Sequence, residues 1–175
     1  AGIVASISQA PEQLEWHNWR GPLDGTGYSA ADQINASNVK SLRTAWRWSS
    51  SGMGPSPEAR NTTTPLMVDG SLYLTAGLTR NVVSLDAKTG EMLWMWRAKE
   101  ADARFENAPR KGAGRGVAYW TDGKADRRIF TVTPGFHLAA LDAVTGRPIA
   151  HFGREGQVDL MAGLRGAPKE GLPDI

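Results

Sequence analysis

The 175-residue sequence contains no cysteine. That absence excludes disulfide frameworks, thiolate zinc sites and cysteine nucleophiles together. Charge of one sign is also scarce, because 20 Lys and Arg face 18 Asp and Glu, a formal net charge of +2. The surplus of bases is small and no basic stripe accompanies it, so nucleic acid is not an expected partner. No apolar run approaches the roughly 18 residues that a transmembrane helix needs. Ala1–Ala10 has neither a basic start nor a long apolar segment, so no intact signal peptide is read there. A mature exported chain, a cytosolic chain and an internal fragment all fit that beginning. The three histidines, His17, His137 and His151, stand apart without metal spacing and read as structural or surface residues.

What is present points to a packed, turn-rich chain. Hydrophobic residues make up 41%, enough for a core in a chain of ordinary domain size. Glycine, at 20 of 175 residues or about 11%, exceeds the usual level of roughly 7%. The seven tryptophans are clustered, with Trp16 near Trp19, Trp46 near Trp48, Trp94 near Trp96, and then Trp120. Excess turn residues with periodic aromatics direct attention to internal repeats.

A repeat is visible. Ser84-Leu85-Asp86-Ala87-Lys88-Thr89-Gly90 recurs 56 positions later as Ala140-Leu141-Asp142-Ala143-Val144-Thr145-Gly146. Each copy follows two apolar runs joined by an Asp-Gly pair, Asp69-Gly70 in the first and Asp122-Gly123 in the second. Asp-Gly between alternating apolar residues is the strongest short hairpin signal. In the second turn, Asp accepts backbone N–H bonds and Gly takes the positive φ. Four strands per unit follow, near 65–69, 71–75, 81–86 and 92–97, then near 116–121, 128–133, 138–142 and 148–152.

Tandem four-stranded units read as antiparallel β-propeller blades, an all-β fold. Two repeats are also compatible with an open meander or half of a sandwich. Leu42–Trp48 ends like the strand holding Trp94 and is expected to be the outer strand of a preceding blade. Asn35–Lys40 before it reads as a short capped helical turn. Leu85 and Leu141 are expected between sheets, the stretch 100–115 irregular, and Gly163–Ile175 a loop. The chain divides into a lead-in with outer strand (14–48), a blade (64–97), a second blade (115–153) and a trailing loop (154–175). Asp86 and Asp142 read as turn formers, and the Trp pairs as packing between blades.

Several segments carry a family resemblance. Trp16-His17-Asn18-Trp19-Arg20-Gly21, Gly27-Tyr28-Ser29, Gln33-Ile34-Asn35 and Asn38-Val39-Lys40-Ser41-Leu42 resemble the mature start of quinoprotein dehydrogenases. Leu85-Asp86-Ala87-Lys88-Thr89-Gly90, followed by Trp94, resembles their blade signature. Gly114-Arg115-Gly116-Val117-Ala118-Tyr119-Trp120 is similar to a segment those enzymes carry near pyrroloquinoline quinone (PQQ). Phe152-Gly153 with Gly156–Leu160 is similar to the branch related to membrane-bound glucose dehydrogenase.

The resemblance implies part of an eight-bladed propeller holding PQQ and calcium at its axis. It implies oxidation of a sugar, polyol or alcohol, with electrons passed to ubiquinone or a cytochrome, and a periplasmic location with membrane association open. The calcium ligands and catalytic aspartate are expected outside this stretch, in the remaining blades. The vicinal cysteines of some alcohol-oxidising members are replaced here by Asn107–Lys111, which leans toward the sugar or polyol branch. A non-catalytic propeller scaffold of outer-membrane assembly and a β-rich interaction module are alternatives that the sequence leaves open.

Blade geometry singles out the cofactor candidates. The loop into each first strand and the turn between second and third strands share one face. Those positions hold Thr62 and Arg115 in the loops, with Arg80 and Pro134–His137 in the turns. PQQ carries three carboxylates, which a guanidinium fork matches bidentately. Arg115 is the first candidate, because both its place and the family segment favour it. Arg80 sits where related glucose dehydrogenases place a basic residue, and Thr62 where the family usually has a cofactor-contacting glutamate.

Overall fold

A computed structural model of the chain describes residues 15–54, 58, 60–98 and 103–165. It contains two four-stranded antiparallel sheets, each a meander in chain order. The first comprises β1 (Leu66–Val68), β2 (Ser71–Ala76), β3 (Asn81–Asp86) and β4 (Met92–Trp96). The second comprises β5 (Ala118–Thr121), β6 (Arg127–Val132), β7 (His137–Asp142) and β8 (Gln157–Asp159). No helix interrupts 64–97, and one helical turn, α1 (Ala103–Glu106), lies in the stretch expected to be irregular.

The turns fold as their chemistry dictates. Asp69 and Gly70 have φ of 49° and 73°, the pair of positive values that a two-residue hairpin needs. The carboxylate of Asp86 accepts from the N–H of Lys88 (3.0 Å), and from the N–H (2.7 Å) and hydroxyl (2.9 Å) of Thr89. Asp142 does the same with Val144 and Thr145. Gly90 and Gly146 then close their turns at φ of 75° and 69°.

A second reason for those glycines lies in packing. The indole of Trp46 lies over Gly90 and that of Trp94 over Gly146, and a Cβ at either glycine would come within 2.5 Å of the ring. Each indole N–H donates to the neighbouring turn, Trp46 to the Ala87 carbonyl (3.2 Å) and Trp94 to that of Ala143 (3.1 Å). The tryptophan pairs thus pack between units. Val68, Tyr73 and Val82 meet Ile129, Leu141 and Ala143 between the two sheets, with Trp94 and Trp96 at their edge. Leu74, Ala76, Val83 and Leu85 form the opposite face of the first sheet, covered by Trp46, Trp48 and Met53. Leu141 therefore lies between sheets, whereas Leu85 lies under an irregular segment.

Three local expectations are corrected. Leu42–Trp48 forms no ladder, because a strand needs a paired neighbour and none of the described strands pairs with it. Trp46 nevertheless makes the contact that Trp94 makes one unit later. The turn expected at Asn35–Lys40 is present: the Asn35 side-chain oxygen accepts the Ser37 N–H (3.0 Å), the Val39 N–H donates to the Asn35 carbonyl (3.0 Å), and a 3-10 turn at Val39–Ser41 follows.

The fourth strand of the second unit is not 148–152. Pro148 has no N–H to continue the ladder. Ile149 still donates to Ala140 (2.9 Å), but the chain then turns away. It returns through Glu155-Gly156, φ 54° and 88°, to pair Gln157–Asp159 with β7. Strand β8 consequently occupies the start of the expected trailing loop. Positions 1–14 and 166–175, including most of the expected Gly163–Ile175 loop, lie outside the described residues.

Candidate functional site

Both loops into first strands meet at one end of the sheets. Thr64 and Gly116 form a parallel bridge, and the Thr64 N–H donates to the Arg115 carbonyl (3.2 Å). The Thr62 hydroxyl donates to the Gly114 carbonyl (2.9 Å). Gly112, Gly114 and Gly116 have φ of 98°, 73° and 114°, so this loop has a shape that side-chain-bearing residues rarely adopt.

The structure brings Thr62, Arg80 and Arg115 to the wall of one cleft of about 860 Å³. Arg60, Arg110 and Lys111 join them, so five cationic side chains and no carboxylate line it among the described residues. Phe130, Val132 and Leu138 supply an apolar side. The Pro134–His137 turn does not reach this cleft. His137 instead lies 3.4 Å from Arg104, whose guanidinium grips Asp159 through two bonds of 3.1 and 2.6 Å.

The three candidates are held differently. Arg115 is exposed, and its guanidinium has no partner among the described residues. Arg80, half-buried at φ 52°, donates to the carbonyls of Gly112 (3.1 Å), Val132 (3.0 Å) and Arg110 (2.9 Å). A Cβ on Gly114 would come within 2.8 Å of the Arg80 Nε. Arg80 and Thr62 therefore brace the loop that carries Arg115.

Two residues of this region escaped sequence reasoning. Glu58 accepts the Ala113 N–H through one carboxylate oxygen and three further donors through the other. It lies in a stretch without periodicity, so nothing in its spacing marks it. Thr131, 4% exposed, lines the cleft with a buried hydroxyl that has no partner among the described residues.

Other polar groups belong to the scaffold. Asp86 titrates below the ordinary carboxylate range, chiefly because the Thr89 hydroxyl and N–H bond its charged form. The Arg128 guanidinium, stacked 5.3 Å over Trp120, likewise holds Asp126 low. Burial pushes the Tyr73 phenol up, and its hydroxyl donates to the Ala143 carbonyl (3.1 Å). Among the described residues no group of three or more His, Asp or Glu could hold a metal ion. No described helix is long and apolar enough to cross a membrane.

The donor set of the cleft suits an anionic ligand. Residues 16–172 match the family model described as PQQ, glucose/ethanol/alcohol dehydrogenase, beta-propeller domain. The chain is 35% identical over 137 residues to methanol dehydrogenase [cytochrome c] subunit 1 of Methylobacterium organophilum, covering 75% of this chain and 21% of that protein. It is 31% identical over 175 residues to quinoprotein glucose dehydrogenase of Gluconobacter oxydans, covering 90% and 21% respectively. Quinohemoprotein alcohol dehydrogenase of Comamonas testosteroni superposes with a TM-score of 0.66 at 28% identity, over 87% of this chain and 20% of that one. The chain spans about a fifth of the length of the curated relatives it matches. Its two sheets are propeller blades, and the chain belongs to the PQQ-dependent glucose/ethanol/alcohol dehydrogenase β-propeller family.

Proposed function

We propose that the cleft binds pyrroloquinoline quinone, and that this chain supplies part of the cofactor site of a dehydrogenase. The observation that carries the reading is the unpartnered Arg115 guanidinium in a cleft lined by five cations and no carboxylate among the described residues. A tricarboxylate fits that donor set, because each carboxylate accepts a guanidinium fork bidentately. PQQ, when bound, supplies the redox chemistry as the hydride acceptor. Arg115 contacts a carboxylate of the cofactor, Arg80 adds positive charge from the adjoining wall, and Thr62 offers its hydroxyl oxygen there.

We read the substrate as a sugar or polyol, on two features of the sequence. Asn107–Lys111 contains no cysteine, and Phe152–Leu160 is similar to the glucose dehydrogenase branch. Calcium, or a lanthanide as in the europium-containing methanol dehydrogenase of similar fold, would take its ligands from outside this chain. Electrons would pass to ubiquinone or a cytochrome, in the periplasm.

Titration of the chain with PQQ, read by quenching of tryptophan fluorescence, tests the reading. Saturable quenching that weakens with salt and is reduced in Arg115→Ala supports it. Quenching that never saturates, or that ignores Arg115→Ala, overturns it.

A further inference from the structure

The loop 110–116 is fastened from below by one carboxylate. Glu58 Oε1 accepts the Ala113 N–H (3.2 Å). Its Oε2 accepts the Gly77 N–H (3.2 Å), the Ser50 hydroxyl (3.1 Å) and the Asn61 amide (3.2 Å). Four donors from four segments thus converge on a single ionised group. Gly77 belongs to the β2–β3 turn, which also carries Arg80, and Arg80 holds the same loop through the carbonyls of Gly112 and Arg110. The loop is gripped by an acid at an N–H and by a base at two carbonyls, within four consecutive residues.

This grip ends two residues before Arg115. The three glycines at 112, 114 and 116 give the loop little stiffness of its own, because glycine has wide backbone freedom. Something outside the loop must fix where the Arg115 side chain begins. Thr62 and Thr64 hold it from one side, and both belong to the loop that follows Glu58 and leads into β1.

We infer that Glu58 is a positioning residue. Its carboxylate sets the 112–116 loop and thereby aims the Arg115 guanidinium into the cleft, without touching the ligand itself. The inference rests on the reading of the cleft as a PQQ site. Glutamine at 58 keeps the size but loses the charge, and it turns an N–H2 toward one group of donors. The Ala113 and Gly77 N–H groups cannot then both be satisfied as before.

The test uses Glu58→Gln, Arg115→Ala and the double variant in the full chain. Amide hydrogen exchange at Gly77 and Ala113 is expected to quicken in Glu58→Gln, and the amide resonances of Gly114, Arg115 and Gly116 to shift. PQQ affinity is expected to fall about tenfold, equivalent to roughly 1.4 kcal/mol. If Glu58 acts through Arg115, the double variant binds PQQ no more weakly than Arg115→Ala alone. Additive losses would show a general structural role and overturn the inference. Unchanged exchange and unshifted 114–116 resonances would also overturn it, whatever PQQ does. If the wild-type chain does not bind PQQ, the cofactor reading fails, and the exchange and resonance measurements decide the positioning role alone. Should Glu58→Gln unfold, Ser50→Ala, which removes a single donor to the same carboxylate, must produce a smaller change of the same kind. Absence of any shift at 114–116 in that variant would then count against the inference.

Discussion

Arg115 and Gly146 show how single residues divide between ligand and scaffold. A charged hydrogen bond of the kind open to Arg115 is worth roughly 1.5–3 kcal/mol. Arg115→Ala is therefore expected to weaken PQQ binding by about one to two decades. Arg115→Lys should recover only part of that, because an ammonium keeps the charge but loses the fork. Melting temperatures of both variants should stay near wild type, since the exposed side chain has no partner to lose among the described residues. Gly146 carries the opposite burden. Alanine there meets an unfavourable φ of 69°, costing about 1–2 kcal/mol, and its Cβ falls within 2.5 Å of the Trp94 ring. Denaturant melts of Gly146→Ala should show a loss beyond the backbone cost alone. In a Trp94→Ala background that excess should disappear, and its persistence would refute the ring contact as its cause. The convergence of Thr62, Arg80 and Arg115 was legible in the sequence, because blade connectivity alone puts those positions on one face. Glu58 was not, since a residue in an irregular stretch acts through donors brought near only by folding.

At the scale of elements, the repeated Asp-Ala-x-Thr-Gly turns dominate. The Asp86 carboxyl is held below its ordinary range by bonds that exist only in the folded turn. A group whose folded value is depressed adds stability above its unfolded value, and that stability is lost as pH falls through the folded one. Stability contributed by this turn should thus be complete at neutral pH and fade below about pH 4. Asp86→Asn should lower stability at pH 7, with the gap to wild type narrowing in acid. A gap that stays constant from pH 7 to about pH 3 would show that the carboxylate charge has no part in the turn. Seven of the eight strands could be read directly, because Asp-Gly and Asp-x-x-Thr-Gly fix one end of each strand locally. The eighth could not. Pro148 stops the ladder after one bridge, and the outer strand resumes beyond a turn at Glu155-Gly156 that has no counterpart in the first unit. Leu42–Trp48 failed for a related reason, since pairing needs a neighbour that local sequence cannot supply.

The whole molecule is asymmetric in how its sheets are covered. Both faces of the first sheet are packed, one by the second sheet and the other by Trp46, Trp48 and Met53. The far face of the second sheet is different, for Trp120 and Val132 remain 46% and 38% exposed and Phe130 rests on Phe152 alone among described aromatic rings. Position 150, which the 56-residue repeat aligns with Trp94, is an alanine. The second unit therefore offers no indole to a following turn, and a neighbour on that side must be held by other contacts. In a stack of repeats each unit is stabilised mainly through its neighbours, and uncovered sheet surface promotes association. The isolated chain is accordingly expected to self-associate at micromolar concentration. Light scattering after size exclusion should report a mass above 18.9 kDa that rises with concentration. Val132→Lys, which puts a charge on the exposed face without entering the core, should shift the distribution back toward monomer. A monodisperse monomer for the wild type, or association indifferent to Val132→Lys, would mean that this face is not the adhesive one. The same asymmetry bears on catalysis. The chain spans about a fifth of the relatives' length, so on the proposed reading it supplies one wall of a site that further blades complete. Dye-linked turnover of glucose or glycerol should be absent when PQQ and calcium are added to the chain alone. Turnover under those conditions would place a complete catalytic set within these residues and contradict the division of the site between this chain and further blades.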